Sequence, residues 1–163
     1  MAVTTEKSDQ ITNAEASPRT GIPAYDWSGK LRIARFDFTQ GSSAGDANST
    51  AELVRLPTGR VRVYLAQSRI TTSAFGSSRT LDLGHMAYTD EAGDTVAADE
   101  DSLDAAQSVS GAASYVPIGT VGGEESYLFS SHSTEGVTII AKCEGGTIPA
   151  GATIKGYFVY AVE

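Results

Sequence analysis

Arg60-Val61-Arg62-Val63-Tyr64-Leu65-Ala66 sets Val61, Val63 and Leu65 two residues apart, with Arg60, Arg62 and Tyr64 between them. In an extended strand a period of two sends successive side chains to opposite faces, so the aliphatic set faces a core and the arginines face outward. Immediately upstream, Pro57-Thr58-Gly59 carries turn chemistry, because proline presets φ for the second position of a type I turn and glycine suits the fourth. The expected unit is a hairpin, with Ser49 to Leu56 as its first strand and Arg60 to Ala66 as its second.

Outward from this hairpin the chain reads as short strands separated by turn residues. Further strands are expected at Arg69 to Ser73, Thr80 to Tyr88, Ser114 to Ile118, Ser126 to Ser131, Gly136 to Cys143 and Thr153 to Val162. Before the hairpin, Leu31 and Ile33 share one face, and Phe36 and Phe38 join it only if the register slips by one residue at Ala34-Arg35, which predicts a bulge. The total is about eight or nine strands, enough for two packed sheets. The expected fold class is all-β, an antiparallel two-sheet sandwich, of which a jelly roll is one form.

Two segments refine the expectation. Ile154 to Val162 is apolar on both faces, which suits a central strand, and Ile148-Pro149-Ala150-Gly151 repeats the proline-then-glycine turn, pairing this strand with Val137 to Cys143. Asp99 to Gln107 reads as a short helical turn, with Asp99, Glu100 and Asp101 at its positive end.

Residues 1–30 scatter their apolar side chains among polar ones and carry Pro18 and Pro23, so they read as an extended arm ahead of a sandwich domain at 31–163. The arm's anchors would be Ile22, Tyr25 and Trp27, packed on the chain's own body or on a neighbour.

A chain of 163 residues fits one domain able to bury a core without metal or disulfide staples, and its single cysteine cannot form an internal disulfide. No apolar run approaches the ~18–20 residues of a membrane span, and MAVTTEKSDQ lacks the basic-then-apolar layout of a signal peptide, so a soluble, unexported chain is expected. The net charge of −8 argues against direct nucleic-acid binding, which must neutralise phosphates. That charge is unevenly placed: residues 1–29 carry −2, residues 30–79 carry +5 and residues 80–163 carry −11.

No catalytic constellation emerges. The acidic cluster Asp90, Glu91, Asp94, Asp99, Glu100, Asp101 and Asp104 lacks the spacing of a calcium loop, and it reads as a solvated hairpin turning at Gly93 followed by the helix start. Cys143 continues the period of Val137, Ile139 and Ala141 and is expected to face the core, away from the base that a nucleophile needs; the two histidines are His85 and His132. A nucleophile elbow, a zinc-protease helix and a phosphate loop are all missing from the sequence. Carboxylates paired for glycoside hydrolysis stay open, because their separation is a three-dimensional quantity. No catalytic residue, metal ligand or cofactor is assigned.

Lys30, Arg32, Arg35, Arg55, Arg60, Arg62, Arg69 and Arg79 form the more informative signal. Guanidinium groups projecting from strands can dock bidentately on carboxylates of another chain; equally, they can pair with this chain's own surplus of acids.

Ser49 to Val63, then Ser68 to Gly76, then Arg79 to His85, together with Gly146 to Tyr160, resemble small virion proteins of tailed bacteriophages, in particular head decoration, or cement, proteins. The resemblance covers roughly residues 49–105 and 136–163, and its motifs are structural. It implies a non-enzymatic capsid-surface protein of the virion, made in the host cytoplasm, that bridges neighbouring major capsid subunits, commonly as a trimer. Partner-binding residues on that reading are Ile22, Tyr25, Trp27, Arg32, Arg35, Arg55, Arg60 and Arg62. Two rival readings are a host-attachment or head-fibre-base module with a carbohydrate-recognising sandwich, using Tyr88, Tyr115 and Tyr127, and a small hydrolase using His85 or His132.

Overall fold

A computed structural model describes residues 30–45, 50–118, 125–132 and 136–163. These form β1 (Arg32–Thr39), β2 (Thr50–Leu56), β3 (Gly59–Thr72), β4 (Thr80–His85), β5 (Tyr88–Thr89), β6 (Thr95–Val96), β7 (Asp99–Ser108), β8 (Ala113–Tyr115), β9 (Ser126–Ser131), β10 (Val137–Glu144) and β11 (Thr153–Val162). One antiparallel sheet, here sheet A, runs β1-β11-β3 with β8 and β9 both on the far side of β3; a second, sheet B, runs β2-β10-β4-β7; β5 and β6 make a separate small hairpin. The fold is all-β and sandwich-like, as expected.

The two sheets meet over one core. Val61, Val63, Leu65, Ile70, Phe129, Ile154 and Phe158 enter it from sheet A, and Leu56, Leu81, Leu83, Leu103, Ile139 and Cys143 enter it from sheet B, all buried. The period-of-two reading of Val61, Val63 and Leu65 holds, and so does the core placement of Cys143. The last strand is central, with β1 on one side and β3 on the other.

Strand pairing departs from the sequence reading. Pro57-Thr58 does not close a hairpin: β2 pairs with β10, while β3 pairs with β11, β8 and β9, so the turn carries the chain from one sheet to the other. Leu56 and Val61 are both buried on either side of this corner, and a proline without an N–H cannot continue a ladder. Pro149 to Ala152 does form a turn, with the Ala152 N–H donating to the Pro149 carbonyl at 3.0 Å. It too crosses between sheets, so β11 is not the partner of β10.

The bulge expected at Ala34-Arg35 is not there. From Arg32 opposite Tyr160 to Thr39 opposite Thr153, β1 follows β11 residue for residue. Phe36 is buried, with Ala34 and Phe38 packed against the core, whereas Leu31 and Ile33 stay more than half exposed. The irregularity lies instead in β3, where two expected strands are one. Arg69 stands opposite Tyr157 and Tyr64 opposite Val159, so residues 65–68 face a single residue of β11. Ser68 fills the gap: its buried hydroxyl donates to the Tyr64 carbonyl at 2.7 Å and accepts from the Val159 N–H at 3.0 Å.

Asp99 to Gln107 is strand, not helix. Ser102, Leu103 and Asp104 are consecutively buried, and β7 follows β4 with two register shifts. Those shifts bring the β7 backbone across Gly84, where an added Cβ would lie 1.9 Å from the Asp99 carbonyl oxygen. Tertiary pairing with β4 overrides the helix-start pattern of three successive acids.

Candidate interaction surface

Alternation with buried Phe36, Val61, Val63, Ile70 and Ile154 sends Arg35 and Asp37 of β1, Lys155 and Tyr157 of β11, and Arg60, Arg62, Arg69 and Thr71 of β3 to the outer face of sheet A. Register sets them in rows: Arg35 opposite Tyr157 opposite Arg69, then Asp37 opposite Lys155 opposite Thr71. The rows line an open groove of about 580 Å³. Within it Lys155 Nζ lies 3.0 Å from Asp37 Oδ2, and Arg69 Nε donates to Ser114 Oγ at 3.0 Å. The groove therefore presents three cations against one acid.

At the other end of this face, Arg62 Nε lies 2.7 Å and Arg60 Nε 3.6 Å from the Glu163 carboxylate. So the expected basic patch divides. Arg35, Arg60 and Arg62 share the sheet A face, Arg32 stands at the end of β1 opposite Tyr160, and Arg55 lies on sheet B, donating to Thr138 Oγ1 at 3.3 Å. Arg79 is taken up internally, donating to the Thr147 carbonyl at 2.6 Å. Ile22, Tyr25 and Trp27 lie outside the described residues. Nothing in the sequence singles out Lys155, Thr71 and Tyr157, since only the pairing of β11 with β1 and β3 brings them beside Arg35 and Arg69.

The outer face of sheet B has the opposite sign. Asp82, Glu144 and Glu52 alternate with buried Leu81, Leu83, Cys143 and Ala51, and Lys142 is held by Glu100 at 2.5 Å and Glu144 at 2.9 Å. These carboxylates, Glu100 first, hold the Lys142 ammonium well above the usual lysine range. Acids continue along β7 and into the β5–β6 hairpin, which turns at Gly93 as expected. There Asp90 Oδ1 accepts the N–H groups of Ala92 and Asp94, both at 2.9 Å, and fixes a tip that exposes Glu91 and Asp94.

The remaining chemical candidates lie apart from these two faces. His85 is buried, with Nδ1 3.0 Å from the Met86 carbonyl and its ring edge-on to Tyr88 and Phe129. His132 is exposed, and burial pushes the Cys143 thiol up, away from a reactive thiolate. Tyr88 and Tyr127 pack around Phe129, and Tyr115 packs against the core, so the three tyrosines form no exposed stacking platform. Asp104 is buried with one oxygen unpartnered, and burial raises its carboxyl to about 6. No group of three or more metal-ligating side chains occurs among the described residues.

No protein-family model matches the chain, and no curated protein matches it. Among solved structures it is similar to a chain of the cyanophage Pam1 capsid asymmetric unit, with a TM-score of 0.54 and 13% identity over 100% of both chains. Infectious bursal disease virus, Gt strain, gives a TM-score of 0.44 at 10% identity over 84% of this chain and 34% of that one. The capsid of Helicobacter pylori bacteriophage KHP30 gives 0.32 at 11% identity over 82% and 94%. At 13% identity, what this chain shares with the Pam1 chain is its fold, end to end.

Proposed function

We propose that this chain is a non-enzymatic structural protein of a phage virion, which decorates the capsid and cements it by bridging neighbouring major capsid subunits. The observation that carries the reading is the fold likeness, across the whole of both chains, to a chain of a phage capsid asymmetric unit. The strand order supports it: β1-β11-β3-β9 faces β2-β10-β4-β7, which is the order of an eight-stranded jelly roll, an architecture used by viral capsid domains. The opposed charges of the two outer faces suit oriented docking between protein layers.

On this reading the chain acts as a homo-oligomer, a trimer in the family it resembles. Residues 1–30 serve as an arm across the seam, anchored by Ile22, Tyr25 and Trp27, and the basic face of sheet A meets acidic protein surface. The test is to compare purified capsids with and without the chain for rupture on heating. Decorated capsids should rupture at higher temperature; equal rupture, with the chain missing from purified particles, overturns the proposal.

A further inference from the structure

The groove on sheet A and the acidic β5–β6 tip lie at opposite ends of the molecule. The groove surrounds Asp37, Lys155 and Thr71, at the β3 end where Thr72 terminates the strand. The hairpin attaches at the other end, where Asp90 bridges to Ser131, Ser131 stands opposite Gly59, and the His132 N–H donates to the Thr89 carbonyl at 2.9 Å. Between them lies roughly 30 Å of ladder, at about 3.3 Å per paired residue. The tip cannot reach the groove of its own chain.

We infer that the groove receives the β5–β6 tip of a second copy of this chain, with Glu91 and Asp94 of one copy entering between Arg35, Arg69 and Lys155 of the next. The chemistry is matched on both sides. Among the described residues Arg35 has no hydrogen-bond or ion-pair partner, and the Glu91 and Asp94 carboxylates make no ion pair. Asp90 holds the tip through two backbone bonds, so little conformational freedom is lost when it docks. A tip-to-groove contact uses two different patches, so it is head-to-tail and propagates until a ring closes. This deepens the reading above and rests on its oligomer, for which it names the surfaces.

The experiment uses the full chain, followed by sedimentation velocity over a concentration series at low and high salt. One variant combines Glu91→Lys with Asp94→Lys; the other combines Arg69→Glu with Lys155→Glu. All four positions are solvent-facing, and an unchanged thermal melt checks the fold. Wild type should self-associate, less so at high salt, and each variant alone should associate about tenfold more weakly or worse. An equimolar mixture of the two should recover association as dimers and longer alternating chains, because each variant's tip finds a groove of opposite sign on the other. A ring of three cannot alternate and so does not close. A monomeric wild type, intact association of either variant, or a mixture that stays dissociated would overturn the inference. Co-sedimentation of wild type with capsids, scored separately, decides the decorating role whatever the outcome here.

Discussion

The Ser68 hydroxyl lies 3.0 Å from the Val159 amide and supplies the hydrogen bond that the bulge in β3 takes from the β3–β11 ladder. Ser68→Ala removes the acceptor and leaves a buried N–H unpaired. The expected loss is about 1–3 kcal/mol of unfolding free energy, read from urea denaturation. A loss of a few tenths would mean that the ladder does not depend on this side chain.

Gly84 sits where β7 crosses β4, and no side chain fits there. Gly84→Ala would place a methyl group 1.9 Å from the Asp99 carbonyl oxygen, so either β7 shifts or the strand pair opens. Destabilisation should reach about 2 kcal/mol or more. Gly111, which has nothing within 4 Å of an added Cβ, is the control and should tolerate alanine to within about 0.5 kcal/mol.

Asp104 makes stability depend on pH with a definite sign. Burial raises its folded value from 3.8 to about 6, against the hydrogen bonds from Gln107 and the backbone of Ala105 and Ile118, and Asp82 adds to the rise. Tyr115 feels the same charge, and its hydroxyl has no partner. The folded state therefore holds the proton more tightly than the unfolded state. The stabilisation is complete below the unfolded value and is lost as pH rises through 6, by an amount on the order of 3 kcal/mol. Asp104→Asn should flatten this part of the profile and be the more stable protein at pH 8. Identical pH profiles for wild type and variant would refute the assignment.

Much of the fold could be read from spacing, because alternation reports burial directly. Val61, Val63 and Leu65 announced a core face, and the doubly apolar β11 announced a central strand. Pairing could not be read, since Pro57-Thr58-Gly59 and Pro149-Ala150-Gly151 state that the chain bends and say nothing about which sheet it bends into. The bulge was hidden for a related reason: residues 67–68 looked like a break between strands, and only the ladder with β11 shows residues 65–68 to be a kink within one. For the candidate site, the basic run from Lys30 to Arg79 was visible. Its division between Arg35 and Arg69 on one face, where Lys155 joins them, and Arg55 on the other required parity and pairing together.

Removal of residues 1–29 should leave the body folded and its binding to capsids weaker by about tenfold or more, equivalent to losing at least roughly 1.4 kcal/mol. Co-sedimentation with capsids, alongside a melt of the truncated chain, measures both. Undiminished binding would count against a bridging arm.

The pairing of β1 with β11 also determines how the body answers to force. Arg32 stands opposite Tyr160, so the two strands leave the sheet side by side at one end, running in opposite directions. A pull applied through both ends of the body would unzip this ladder one hydrogen bond at a time, beginning at Arg32 and Tyr160. A load spread across the faces of the sheets would instead strain many bonds together. A body built this way resists strain well through its faces and poorly when drawn out by its two ends.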